Sequence, residues 1–200
     1  MDNIFSDIFS IVEIDKLHSK HEFDLLIDNL TNRPAPLREA VAYKLEEVFC
    51  EEYADEKTAQ VILCAITDIN PNVSRNICQI IEKSSLLKTL LEERIINKIN
   101  TILGQIPEIE QRKNNKSHVK NKLFFALYWL LEALSYCISN KYNEKIFEIL
   151  QICINFTDYT IREKTAKILS IVDNPPIELV DKIKSDTNFY VNFYTTLYKK

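Results

Sequence analysis

A single glycine, Gly104, in a chain of 200 residues leaves few ways of turning the backbone sharply. Sheet hairpins draw on glycine for positive φ, and phosphate-cradling loops draw on it for close backbone approach. One glycine therefore excludes a Walker loop, a dinucleotide fingerprint and most sheet architectures. Hydrophobic residues make up 46% of the chain, which excludes a disordered tail. A chain of this length buries roughly 70% of its unfolded surface, so one all-α domain over residues 1–200 is expected.

The helices announce themselves by a recurring pattern. A β-branched or leucine residue precedes a basic one, and apolar residues follow at one helical face. Leu37-Arg38 is followed by Val41, Leu45 and Val48; Val73, with Arg75, by Ile77, Ile80 and Ile81. Val119-Lys120 leads to Leu123, Leu127, Leu130 and Leu131, and Ile161-Arg162 to Thr165, Ile168, Leu169 and Val172. Val191 opens a degenerate fifth copy with Thr195 and Tyr198. The five starting residues lie 36, 46, 42 and 30 positions apart. Turn chemistry precedes each one: Asn32–Pro36, Asn70-Pro71-Asn72, Asn114–Ser117 and Asp158–Thr160. Asn70 with Pro71 reads as an N-cap before proline at the first helical position, and Thr160 with Glu163 reads as a capping box. Another helix is expected upstream of each turn, over 22–29, 56–67, 93–103, 144–154 and 177–182. An extra or lengthened helix is expected over 85–103, before a polar loop at 107–117.

These helix–turn–helix units resemble HEAT repeats, in which a short Asp/Asn-Pro-like turn leads into a second helix beginning Val-Arg. Asp68–Asn76 is the nearest copy and Asp158–Ala166 the next. The resemblance implies a right-handed α–α superhelix, a HEAT-like solenoid of about five helix pairs, with the second helices on the concave surface. Stacked pairs share one core, and the end units need capping. Residues 1–18, with Ile4, Phe5, Ile8, Phe9 and Val12, suit an N-terminal capping helix. Residues 187–200, with Phe189, Tyr190, Phe193, Tyr194, Leu197 and Tyr198, suit a C-terminal one with its hydroxyls facing water.

No catalytic constellation emerges, and no cofactor or metal site is expected. His18, His21 and His118 have no second ligand at metal spacing. Cys50, Cys64, Cys78, Cys137 and Cys153 are odd in number, widely separated and set among apolar neighbours. They read as reduced, buried thiols of a cytoplasmic protein. The N-terminus carries no basic, apolar leader pattern, and Leu123–Ile138 reads as a buried helix rather than a membrane span because it is short and contains Glu132. Trp129 is expected in the core. The acids Glu46, Glu47, Glu51, Glu52, Asp55 and Glu56 are expected at a solvated helix end and loop.

Charge is graded along the chain, whose formal net charge is −4. Residues 1–60 hold six basic and fourteen acidic side chains, and residues 111–200 fourteen and nine. No acid falls between Glu110 and Glu132, where Arg112, Lys113, Lys116, Lys120 and Lys122 cluster. With Arg75 and Arg162 on neighbouring second helices, these are the candidate partner-binding residues. Arg162 is also expected to pair with Asp158, four residues earlier in its own turn. The expected role is a non-catalytic protein–protein interaction scaffold that holds a partner bearing an acidic patch, with no membrane contact. Two alternatives rest on resemblance alone. One is nucleic-acid binding through the basic C-terminal half, like the HEAT-like DNA alkylation-repair group; the other is a role like that of the HEAT-like bilin lyases.

Overall fold

The computed structural model describes residues 20–111, 117–138 and 143–197, and the side chains of 23–106, 118–138 and 143–196. The N-terminal cap expected over 1–18 therefore lies outside the described residues. All regular elements among the described residues are helical: α1 (Lys20–Asn29), α2 (Ala35–Val48), α3 (Glu56–Ala65), α4 (Pro71–Lys83), α5 (Ser85–Gln111), α6 (Ser117–Cys137), α7 (Glu144–Cys153), α8 (Tyr159–Leu169), α9 (Ile177–Lys184) and α10 (Phe189–Phe193). Short 3-10 turns follow α2 at Glu51–Tyr53 and α10 at Tyr194–Leu197.

Two compact units divide the chain, Met1–Leu91 and Glu92–Lys200, where one domain was expected over 1–200. In the first, α1 packs on α2 and α3, α2 on α4, and α3 on α4. In the second, α6 packs on α8, α7 on α8, α8 on α10, and α9 on α10. Second helices thus meet second helices inside each unit. The apolar stripes read from the sequence supply these contacts: Val41, Leu45, Val73, Ile77 and Ile81 are fully buried in the first unit, and Leu127, Leu131, Ile161 and Leu169 in the second. Ile80, Leu130 and Ile168, expected at equivalent inward positions, are also buried.

Side chains do the turning that glycine does elsewhere. Asn70, Asn143 and Asn188 cap α4, α7 and α10 by accepting the backbone N–H two residues on, and Asp55 caps α3 by accepting from Thr58. Asn174 takes the one left-handed conformation among the described residues, with φ of 52°, which the short polar side chain of asparagine tolerates. Gly104 itself lies within α5, where an added Cβ would meet open space. That helix runs on through Pro107 to Gln111, so the expected polar loop starts later, and its residues 112–116 are not described. The capping box at Thr160 gives way to Asp158, whose carboxylate accepts both the N–H (2.9 Å) and the hydroxyl (2.8 Å) of Thr160. A carboxylate one full residue before the helix meets the free amides better than the threonine hydroxyl inside it.

The expected Asp158–Arg162 pair is replaced by a longer reach. The Arg162 guanidinium crosses to Asp186 in the next turn, with Nε to Oδ2 at 2.6 Å and Nη2 to Oδ1 at 3.2 Å. Its Nη1 also donates to the carbonyls of Phe156 and Thr157, 2.8 and 2.9 Å away in its own turn. Asp186 Oδ1 further accepts the Asn188 N–H at 2.8 Å. The first unit repeats this clasp. Arg38 Nε and Nη2 reach Asp68 at 2.6 and 2.8 Å, Nη1 donates to the Arg33 carbonyl at 2.5 Å, and Asp68 accepts the Asn70 N–H at 2.8 Å. A bidentate guanidinium satisfies two turns at once. Glu39 adds a second tie there, accepting from the side-chain amides of Asn70 and Asn72, both at 2.7 Å.

Removing either partner of a clasp strands a mostly buried charge. Asp186→Ala and Asp68→Ala should each cost about 2–3 kcal/mol in urea denaturation. A double-mutant cycle with Arg162→Met should give a coupling above about 1 kcal/mol; a coupling of zero would show that the clasp contributes nothing to folding.

Candidate functional site

Helix α6 presents one continuous stripe toward α8: Asn121, Phe124 and Phe125, Tyr128, Glu132 and Tyr136 recur at helical spacing. Its C-terminal half is closed by charge. Glu132, the one formally charged residue between Lys122 and Lys141, receives Lys164 Nζ at 3.0 Å and Lys167 Nζ at 2.7 Å from α8, and the Tyr136 hydroxyl at 2.8 Å. Lys164 also stands 4.7 Å from the Tyr128 ring centroid, and Lys167 4.5 Å from that of Tyr136. Burial pushes the Glu132 carboxyl up, but the two ammonium charges and the hydrogen bonds from Lys167 and Tyr136 outweigh it and hold the group below its ordinary value. Burial likewise disfavours the charged Lys164, and the Glu132 charge overcomes it, raising that lysine above its usual range.

The N-terminal half of the same stripe stays open. A cavity of about 360 Å³ lies between four rings of α6 (Phe124, Phe125, Tyr128 and Trp129) and the start of α8, at Asp158 and Thr160, with Asn121 beside them. Trp129 meets Phe125 at 70° and Tyr128 at 88°, so the walls are set edge to face. Among the described residues, no Arg–Asp clasp closes this joint. Phe156 stands two residues before the cap Asp158, where Asp68 and Asp186 stand before Asn70 and Asn188, and it packs its ring against Phe124 at 5.3 Å.

The anticipated partner-binding residues fall apart into several groups. Lys120 is half-buried, its Nζ 5.2 Å from the centroid of Phe124 on the cavity wall, and Lys122, two residues on, is exposed. Arg162 is committed to Asp186, as described. Arg75 is exposed on α4, in the other compact unit. Arg112, Lys113 and Lys116 lie outside the described residues. The aromatic walls and the Glu132 network were not anticipated. Their signal was available in the lone acid of an apolar helix and in ring residues spaced three and four apart.

The remaining candidates have structural roles. Trp129 is buried, as expected, and His118 is exposed; the side chains of His18 and His21 are not described. Among the acids, Glu46 pairs with Lys83 and Glu47 with Lys44. Glu51 accepts from the Ser85 hydroxyl (2.6 Å) and the Leu86 N–H (2.7 Å) at the start of α5, which lowers its carboxyl below the usual range. The thiols divide: Cys78, Cys137 and Cys153 are buried, but Cys64 is exposed and Cys50 half-exposed, because both lie off the inward stripe. Burial pushes the Cys153 thiol up to about 12. Among the described residues no group of three or more His, Cys, Asp or Glu side chains could hold a metal ion. No described helix is long and apolar enough to cross a membrane.

No family model matches the chain, and no curated protein matches it. Among solved structures, the crystal structure of an engineered protein from a structural genomics consortium is similar at 14% identity and a TM-score of 0.42, over 88% of this chain and 77% of that one.

The Glu132 network makes stability depend on acid. Its carboxyl is depressed in the native state and ordinary, near 4.5, when unfolded. The stabilisation is therefore complete above that value and is lost as pH falls through the depressed native one. Glu132→Gln should cost about 3 kcal/mol at neutral pH, because it leaves Lys164 only the more distant Glu163 carboxylate, 3.7 Å away, as counter-charge. Its stability should also vary less with pH than the wild type's below pH 4.5, as read from urea midpoints; parallel curves would show that this carboxylate is not linked to folding.

Proposed function

We propose that this chain is a non-catalytic protein–protein interaction scaffold: a HEAT-like stack of about five helix pairs, wound as a right-handed superhelix, that holds a partner protein on its second helices. The open aromatic cavity at the α6–α8 joint carries this reading. Three large rings, Phe124, Phe125 and Tyr128, remain partly exposed there, with Lys120 over the Phe124 ring. Partly exposed aromatic walls next to charge are the ordinary make-up of a protein contact centre. The pairing of second helix with second helix inside each unit supports the stack.

Affinity purification of the full chain from its native cell, followed by mass spectrometry, identifies the partner. With that partner, reversing Lys120 and Lys122 to glutamate should slow association and reduce its salt dependence, with the helical spectrum and Tm nearly unchanged. An unaltered association rate would remove the lysines from the interface. Short duplex DNA, tested at low and physiological salt, should show essentially no binding; tight binding that falls steeply with salt would replace this reading with a nucleic-acid one.

A further inference from the structure

Resting on that reading, we infer that the α6–α8 cavity seats one bulky apolar side chain of a linear segment of the partner, and that acidic residues flank this side chain in the segment. The location follows from the joints. At two of the three joints between second helices described within the units, an arginine bridges consecutive turns and fills the space between them. At the third, phenylalanine replaces the aspartate at position 156, and the space is left as a cavity of about 360 Å³. The Glu132–Lys164–Lys167 cluster ties the two helices together farther along. The opening is thereby held by its own framework, and a ligand need not order it.

The chemistry of the occupant follows from what the walls have already taken. Four rings make the lining mainly apolar, which favours an aromatic or large aliphatic anchor. A cationic anchor is disfavoured. Lys120 already stands over Phe124 and Lys164 over Tyr128, so a further cation would meet two ammonium groups at the rings it needs. Asp158, the carboxylate in the lining, accepts the N–H and hydroxyl of Thr160 through Oδ1 as the cap of α8 and keeps its negative charge on that side of the opening. On the α6 side of the opening the charge is positive: α6 bears Lys120 and Lys122 and no acid before Glu132. Acidic residues on either side of the anchor complement that field.

The experiment selects a library of random dodecapeptides displayed on phage against the immobilised full chain and measures the enriched peptides by fluorescence anisotropy. Two variants report on the site. Asn121→Trp fills the cavity from an exposed helical position, and Lys120→Glu with Lys122→Glu reverses the adjacent charge; circular dichroism checks the fold of both. Enriched peptides should carry Phe, Trp or Leu between Asp or Glu residues. They should lose at least about tenfold in affinity to Asn121→Trp or when their anchor is changed to alanine, and several-fold to the charge reversal or to added salt. Enrichment of peptides flanked by Lys or Arg, or lacking an apolar anchor, and blocked by Asn121→Trp, overturns the proposed occupant but leaves the partner-binding reading standing. If no enriched peptide responds to Asn121→Trp, the proposed occupant is overturned; if a single-stranded oligonucleotide binds and responds to it instead, the scaffold reading fails as well.

Discussion

A guanidinium shared between two successive turns sets the spacing of the second helices. Arg38 and Arg162 each emerge from the first turn of a second helix, donate backward to carbonyls of the preceding turn, and reach forward to a carboxylate in the next. Each receiving carboxylate also accepts the amide of the asparagine that caps the following helix. One ion pair therefore couples the end of one pair, the start of the next and the cap between them. An arginine is required here, because a lysine offers a single point of contact where three directions must be served. Hydrophobic burial supplies the larger share of the stabilisation, but it is indifferent to small sliding of one helix along another, and the clasp is not.

The α6–α8 joint solves the same problem by a different route, with consequences for what it can do. Charge is moved down the helix to Glu132, where two lysines converge on one carboxylate. The turn itself is left to rings, which touch edge to face and do not fill the space an arginine fills. A buried ion cluster is weak as a source of net stability and strong as a determinant of geometry. Fixing the helices at one end and leaving the other open is an arrangement suited to receiving a side chain from outside.

The helical periodicity, the turn asparagines and the inward positions of Ile80, Leu130 and Ile168 could all be read from residue spacing alone. These are local properties, set within a few residues. Partner choice could not. Arg162 lies four residues from Asp158, the local solution, yet pairs with Asp186, 24 residues on, which local spacing does not reveal. The cavity was hidden for a similar reason. Phe124, Phe125 and Tyr128 carry the same periodic signal as the core residues Leu127 and Leu130, and only the turn that α8 brings against them decides which rings are covered. At the C-terminal end, Val191 is buried as its place in the pattern requires, while Tyr190 is exposed together with Phe189 and Phe193.

Turns made with asparagine carry a chemical liability of their own. The asparagine side-chain carbonyl can be attacked by the backbone nitrogen of the next residue, and the resulting cyclic imide opens to aspartate or isoaspartate. At Asn70, which caps α4, and at Asn174, which takes the left-handed conformation, the next residue is proline. Proline has no backbone N–H to give up, so this route is closed at both positions. Pro71 at the start of α4 and Pro175 in the turn before α9 thus shield the adjacent asparagines from deamidation through the imide, whereas Asn143 and Asn188, followed by Glu144 and Phe189, have no such shield.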